Sequence, residues 1–73
     1  MQWLDNQLGI YFDSKLENKE VVLNDEFVRN NCMQMHDAFV EGRHLIAIEF
    51  NTSEDREHFL SYYEAPEGAE IVK

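Results

Sequence analysis

Cys32 and His36 stand four residues apart, the spacing that puts two side chains on one helix face. Together they offer a metal ion two ligands. A structural zinc site takes four, and no CxxC or HxxxH pair supplies the rest. His44 and His58 lie elsewhere in the chain. Cys32 also falls on an apolar stripe, where a thiol serves as a small core residue. The same residues make nominal nucleophile pairs: Cys32 with His36 or His58, and Ser53 with His58. A working nucleophile needs a low-pKa thiol, or a hydroxyl beside an oriented base, and nothing in the pattern marks one. There is no G-x-S-x-G, no phosphate-cradling GxxxxGK[ST] and no dinucleotide fingerprint. Gly9, Gly42 and Gly68 are far apart and read as turn residues. So short a chain leaves little room for a substrate pocket of the usual ~300–1,000 Å³. No catalysis, metal or cofactor is expected. Asn51-Thr52-Ser53 matches the glycosylation triplet but reads as the start of a helix.

Carboxylates are the more suggestive group. Glu54, Glu57, Ser61 and Glu64 fall on one side of an expected helix, with neighbouring acids about 5–6 Å apart across i, i+3. Glu67 and Glu70 follow. A rigid row of carboxylates imitates a phosphate backbone to a basic groove. Like charges at that spacing cost a helix a few tenths of a kcal/mol each. Aromatics are the second cue. Tyr62 and Tyr63 are adjacent and cannot share a helix face, so with Tyr63 in the core Tyr62 lies at an edge or in solvent. Trp3, Tyr11 and Tyr62 are the contact candidates, because exposed Trp and Tyr dominate binding hot spots.

The elements that must position these residues are short. Residues 8–12 form an apolar, β-prone run, 13–18 a turn, and 19–23 a second run, which together suggest a hairpin. Residues 1–7 fit either a helical turn or an extended arm. Asn24 or Asp25 caps a helix expected to continue to about Val40, because Val28, Cys32, Met35 and Phe39 are spaced 4, 3 and 4. Gly42 marks its stop. His44 to Phe50 is the clearest strand, with His44, Ile46, Ile48 and Phe50 on one face. Its second face is also mostly apolar, which suits a central position. Thr52-Ser53-Glu54-Asp55 starts a helix running to about Glu64, with Arg56, Phe59, Leu60 and Tyr63 inward. Ala65-Pro66-Glu67-Gly68 ends it, and 69–72 form a last strand. Residues 44–72 would then be a strand–helix–strand unit with a right-handed parallel crossover. The expected fold is α+β, ordered ββαβαβ: a two-layer sandwich of a four-stranded mixed sheet with two helices on one face.

Length and charge set the outer limits. Seventy-three residues suit one domain, taken as 1–73. A hydrophobic content of 44% is that of a globular chain. One cysteine excludes an intramolecular disulfide framework. No apolar run reaches the roughly 18 residues of a membrane span. The first residues carry neither a basic region nor a hydrophobic stretch, so no signal peptide is expected and the cytoplasm is the expected compartment. Fifteen acids against six bases give a net charge of −9, spread along the chain and heaviest in its last third. Such a surface repels nucleic acid and anionic lipid, and the bases at Lys15, Lys19, Arg29, Arg43, Arg56 and Lys73 are scattered singly. It attracts basic protein surfaces. The expectation is a non-catalytic protein-binding module: an acidic inhibitor docking on a basic, nucleic-acid-handling surface of a larger protein. In size and charge alone it resembles small phage-encoded inhibitors and nucleic-acid mimics. The alternative is a homo-oligomer or accessory subunit associating through an apolar patch or a strand edge.

Overall fold

Two apolar faces build the core. Ile10 and Phe12 alternate with half-buried Tyr11 and Asp13; His44, Ile46, Ile48 and Phe50 alternate with Leu45 and Glu49. The pairings Ile10 with Ile48 and Phe12 with Ile46 bring these faces onto one side of a sheet. The computed structural model describes residues 7–72. Its elements are β1 (Gly9–Ser14), α1 (Glu26–Asn31), β2 (Cys32–Val40), β3 (Arg43–Phe50), α2 (Ser53–Tyr62) and β4 (Ala69–Val72). They form one four-stranded sheet in the order β2-β3-β1-β4, with two helices, an α+β fold.

Three expectations change. All neighbouring strands are antiparallel, so the mixed sheet gives way to an antiparallel one. β3 and β4 both oppose β1, hence run parallel to each other with β1 inserted between them. The 44–72 crossover keeps its parallel sense, but its strands are not neighbours. The hairpin of 8–12 with 19–23 is absent: β1 pairs with β3 and β4, and residues 19–25 have no regular structure. The helix expected over 25–40 stops at Asn31, and 32–40 is strand β2.

The reason for the last change lies at residues 41–42. Val40 opposes Arg43, so β2 and β3 are joined by a two-residue turn, with φ of 53° at Glu41 and 79° at Gly42. Positive φ at both positions is the type I′ signature, whose twist matches that of the flanking strands. A ladder of eight residue pairs against β3 then outweighs the helical spacing of the apolar residues. Asn18 N–H donates to the Gly42 carbonyl (2.5 Å), and a Cβ on Gly42 would meet Glu17 Cγ at 2.8 Å. The turn at 17–18 is therefore packed on this hairpin.

The helices carry their expected local signals. The Asp25 carboxylate caps α1 by accepting from Val28 N–H (3.0 Å), and the Thr52 hydroxyl caps α2 by accepting from Asp55 N–H (3.1 Å). Each cap satisfies an otherwise orphaned donor and is worth ~1 kcal/mol. Phe59 is fully buried, stacked on Tyr63 (4.6 Å) and edge-on to Phe12 (6.2 Å). Burying such a ring contributes roughly 1.5–3 kcal/mol. Arg56 lies along the inner side of α2, and its Nε donates to the Gly9 carbonyl (3.0 Å), tying the helix to β1.

Candidate functional site

Asp25 and Tyr62 show how the helical end is held. The Tyr62 hydroxyl donates to the Asp25 carboxylate, 3.0 Å from each oxygen. Its ring stands edge-on to Phe59 (5.6 Å) and Phe27 (6.4 Å), and is 47% exposed. Burial, the Asp25 hydrogen bond and the Asp25 charge push its hydroxyl up to about 12. Burial, then the Asp25 charge, also pushes Tyr63 up. Tyr62 is thus half-exposed, as a contact residue requires, but its polar tip clamps α2 to the cap of α1.

The acids expected to form a row are all exposed, but they do not form one surface of a single helix. Glu54 and Glu57 lie on α2; Glu54 accepts from Ser53 Oγ (2.9 Å) and Glu57 from Arg56 Nη1 (2.6 Å). The helix ends at Tyr62, so Glu64 lies beyond it, where the i, i+3 spacing no longer aligns side chains. Glu67 sits in the following turn, and Glu70 on β4 is paired with Lys15 (2.8 Å). Tyr11 is half-buried, opposite Ala47 and Val72 on the face away from Ile10 and Phe12. Trp3 lies outside the described residues.

A different constellation sits at the β2 edge. His44 is buried, and its Nδ1 accepts from Val21 N–H (2.9 Å). That bond leaves the ring proton on Nε2, which faces Asp37 Oδ2 at 3.0 Å. The His44 backbone N–H donates to buried Ser14 Oγ (2.9 Å), and its ring stacks on Phe39 with centroids 4.4 Å apart. His44 therefore joins three parts of the fold: its imidazole holds the irregular 19–25 segment and β2, and its backbone N–H holds β1. Between that segment and β2 runs a groove of about 300 Å³, whose lining includes Glu20, Val22, Met35, Asp37, His44 and Ile46. Its walls are apolar except for the acids and imidazoles. Beside it, Gln34, His36, Asp37 and Ala38 line a second depression of about 390 Å³.

β2 is unusually exposed for a nine-residue strand. Phe39 is 64% exposed, Met33 57% and Met35 50%, and Val22 across the groove is 72% exposed. Sequence reasoning placed Met35 and Phe39 on an inward helical stripe and so missed this edge. The signal that marks it is the Glu41-Gly42 pair between two apolar runs. Cys32 and His36, now on one strand, sit about 13 Å apart, too far to share an ion. No group of three metal-ligating side chains occurs among the described residues, and no helix there is long and apolar enough to cross a membrane. No family model matches the chain, nor does any curated protein or solved structure.

Proposed function

We propose that this chain is a non-catalytic protein-binding module, an acidic domain that docks on a basic surface of a larger protein. It acts as a small inhibitor would, competing with phosphates for that surface, and binds neither nucleic acid nor membrane itself. The observation that carries this reading is how the charge is arranged. Four of the six bases are turned to internal use: Lys15 on Glu70, Arg43 on Asp13, Arg56 on the Gly9 carbonyl and Glu57, and Arg29 on Asn24. The excess acids, Glu54, Glu64 and Glu67 among them, face solvent. Long-range attraction of this kind steers encounter with a cationic partner.

The reading takes the domain as a two-layer sandwich with both helices on one sheet face. Support comes from Phe27 of α1 and Phe59 of α2, which both pack on Phe50 (6.5 and 5.4 Å). A cytoplasmic setting belongs with it, supported by the single free cysteine. Immobilised protein should retain its partner at low salt and release it as screening shortens the reach of the charges. Reversing Glu54, Glu57 and Glu64 to Lys together should weaken retention about tenfold or more. Unchanged affinity in that triple variant sinks the acidic-face version. The second reading, self-association or an accessory-subunit role, is favoured by the apolar β2 edge. It predicts salt-insensitive association and a mass in solution above 8.7 kDa.

A further inference from the structure

We infer that the outer edge of β2 and its adjoining groove form a strand-addition site for an extended polypeptide segment in which apolar residues alternate with Lys or Arg. The inference rests on the protein-binding reading and gives it a place and a mode. Among the described residues β2 is the longest strand and lies at the edge of the sheet, bonded to β3 on one side. An open edge of that length is a template for a further strand, and natural proteins usually blunt it with Lys, Pro or a cover. β2 contains neither Lys nor Pro. It carries only a register irregularity between Cys32 and Gln34 and the charge of Asp37.

The charges choose the occupant. The groove is walled by Val22, Met35 and Ile46 and carries two carboxylates, Glu20 and Asp37, with no Lys or Arg in its lining. Successive side chains of an added strand point to opposite faces, so its Lys or Arg set faces the groove, with charged tips on Glu20 and Asp37 and stems along the apolar walls, while its apolar set lies beside Ala38 and Val40 on the other face. Phe39 is held ready by its stack on His44, which lowers the ordering cost of an exposed aromatic anchor. Methionine at positions 33 and 35 adapts to varied partners. The same charges work against a second copy as occupant. Antiparallel β2–β2 pairing about His36 sets Asp37 diagonal to its twin, and pairing about Asp37 sets them opposite; like charges so placed are destabilising. Two bodies of charge −9 repel as well.

The test uses a fluorescein-labelled peptide of about ten residues alternating Lys and Val, long enough to span β2. Its twin is N-methylated at alternate residues, which removes the donors of one edge. Anisotropy titrations give affinity, and amide exchange maps the contact. The expected result is binding of the plain peptide, about tenfold weaker binding of the methylated one, and new protection of amides within 32–40. Met35→Lys, a change at a half-exposed position, should weaken the plain peptide about tenfold while leaving the melting temperature in place. Equal affinity for the two peptides, with protection confined to 53–70, overturns strand addition and leaves the protein-binding reading standing on its acidic face. Absence of binding at low salt overturns strand addition, and the salt-gradient experiment then judges the broader reading alone. A dimer with 32–40 protected before peptide is added replaces the cationic segment with a second copy.

Discussion

His44→Phe is the substitution that tests most of the local argument at once. Phenylalanine keeps a flat ring beside Phe39 but removes both ring nitrogens. Val21 N–H, at a residue that is itself almost fully buried, then loses its acceptor. Leaving such a donor unsatisfied costs about 1–3 kcal/mol. The bond to Asp37 adds less, because that carboxylate is well exposed and screening holds an exposed pair under about 1 kcal/mol. A loss of roughly 2–3 kcal/mol lowers the melting temperature of a domain this size by roughly 10–20 °C. His44→Asn is the matched control. Its side-chain oxygen can take the place of Nδ1 and keep the Val21 bond, while the Asp37 bond and the ring stack are lost. The assay is thermal unfolding together with exchange of the Val21 amide. The expected pattern is a Val21 amide that exchanges much faster in His44→Phe and stays protected in His44→Asn. A His44→Phe protein with the melting temperature and Val21 protection of the parent refutes the claim that this imidazole anchors the 19–25 segment.

Two further outcomes follow from other parts of the fold. The Tyr62 hydroxyl is raised from an ordinary 10.0 to about 12 in the folded chain, so its contribution is complete below pH 10 and is lost as pH rises through about 12. Stability should therefore fall across that window, and Tyr62→Phe should flatten part of the fall while costing under about 1 kcal/mol at neutral pH, since the ring is half-exposed; phenol absorbance and denaturant unfolding at stepped pH check both. Glu41 holds a φ of 53° at a turn position that favours Asn, so Glu41→Asn should raise stability by up to about 1 kcal/mol, read as a higher denaturant midpoint at unchanged slope.

Local chemistry was legible in the sequence, and long-range pairing was not. Thr52, three residues before Asp55, announces a cap that any neighbourhood would honour, and the hydroxyl does cap α2. Phe59, Leu60 and Tyr63 recur at helical spacing and pack on the core, and the alternation from His44 to Phe50 marks a central strand that lies between β2 and β1. Val28, Cys32, Met35 and Phe39 satisfy the helical period equally well, yet only Val28 is in a helix. The β3 backbone decides the matter by taking up the hydrogen bonds along one edge of 32–40, and no window inside 25–40 contains that information. Val21 and Val22 are β-prone, but the Val21 N–H is taken by an imidazole 23 residues away in place of a ladder. The same holds for the surface. Tyr62 was legible as an edge residue; its bond to Asp25, 37 residues distant, was not.

An apolar open edge and a strongly acidic body pull in opposite directions, and Asp37 is where they meet. Its carboxylate points to the same sheet face as Met35 and Phe39, two residues away on either side. Alone, a charge there would only blunt the edge. The His44 Nε2–H beside it fixes the carboxylate in place, so that one acceptor oxygen faces the ring and the other is left for a cation. The device repels copies of the same chain and favours a strand bearing Lys or Arg, which is how specificity arises from a difference between two affinities. Asp37→Asn separates the two effects: the amide oxygen keeps the His44 bond and so the groove's shape, while the charge goes. On the proposed reading that variant binds the alternating Lys-Val peptide about tenfold more weakly and self-associates more readily, measured by anisotropy and sedimentation. A variant that keeps its peptide affinity and stays as dispersed as the parent shows that Asp37 selects nothing, and the edge is then read by its backbone and apolar residues alone.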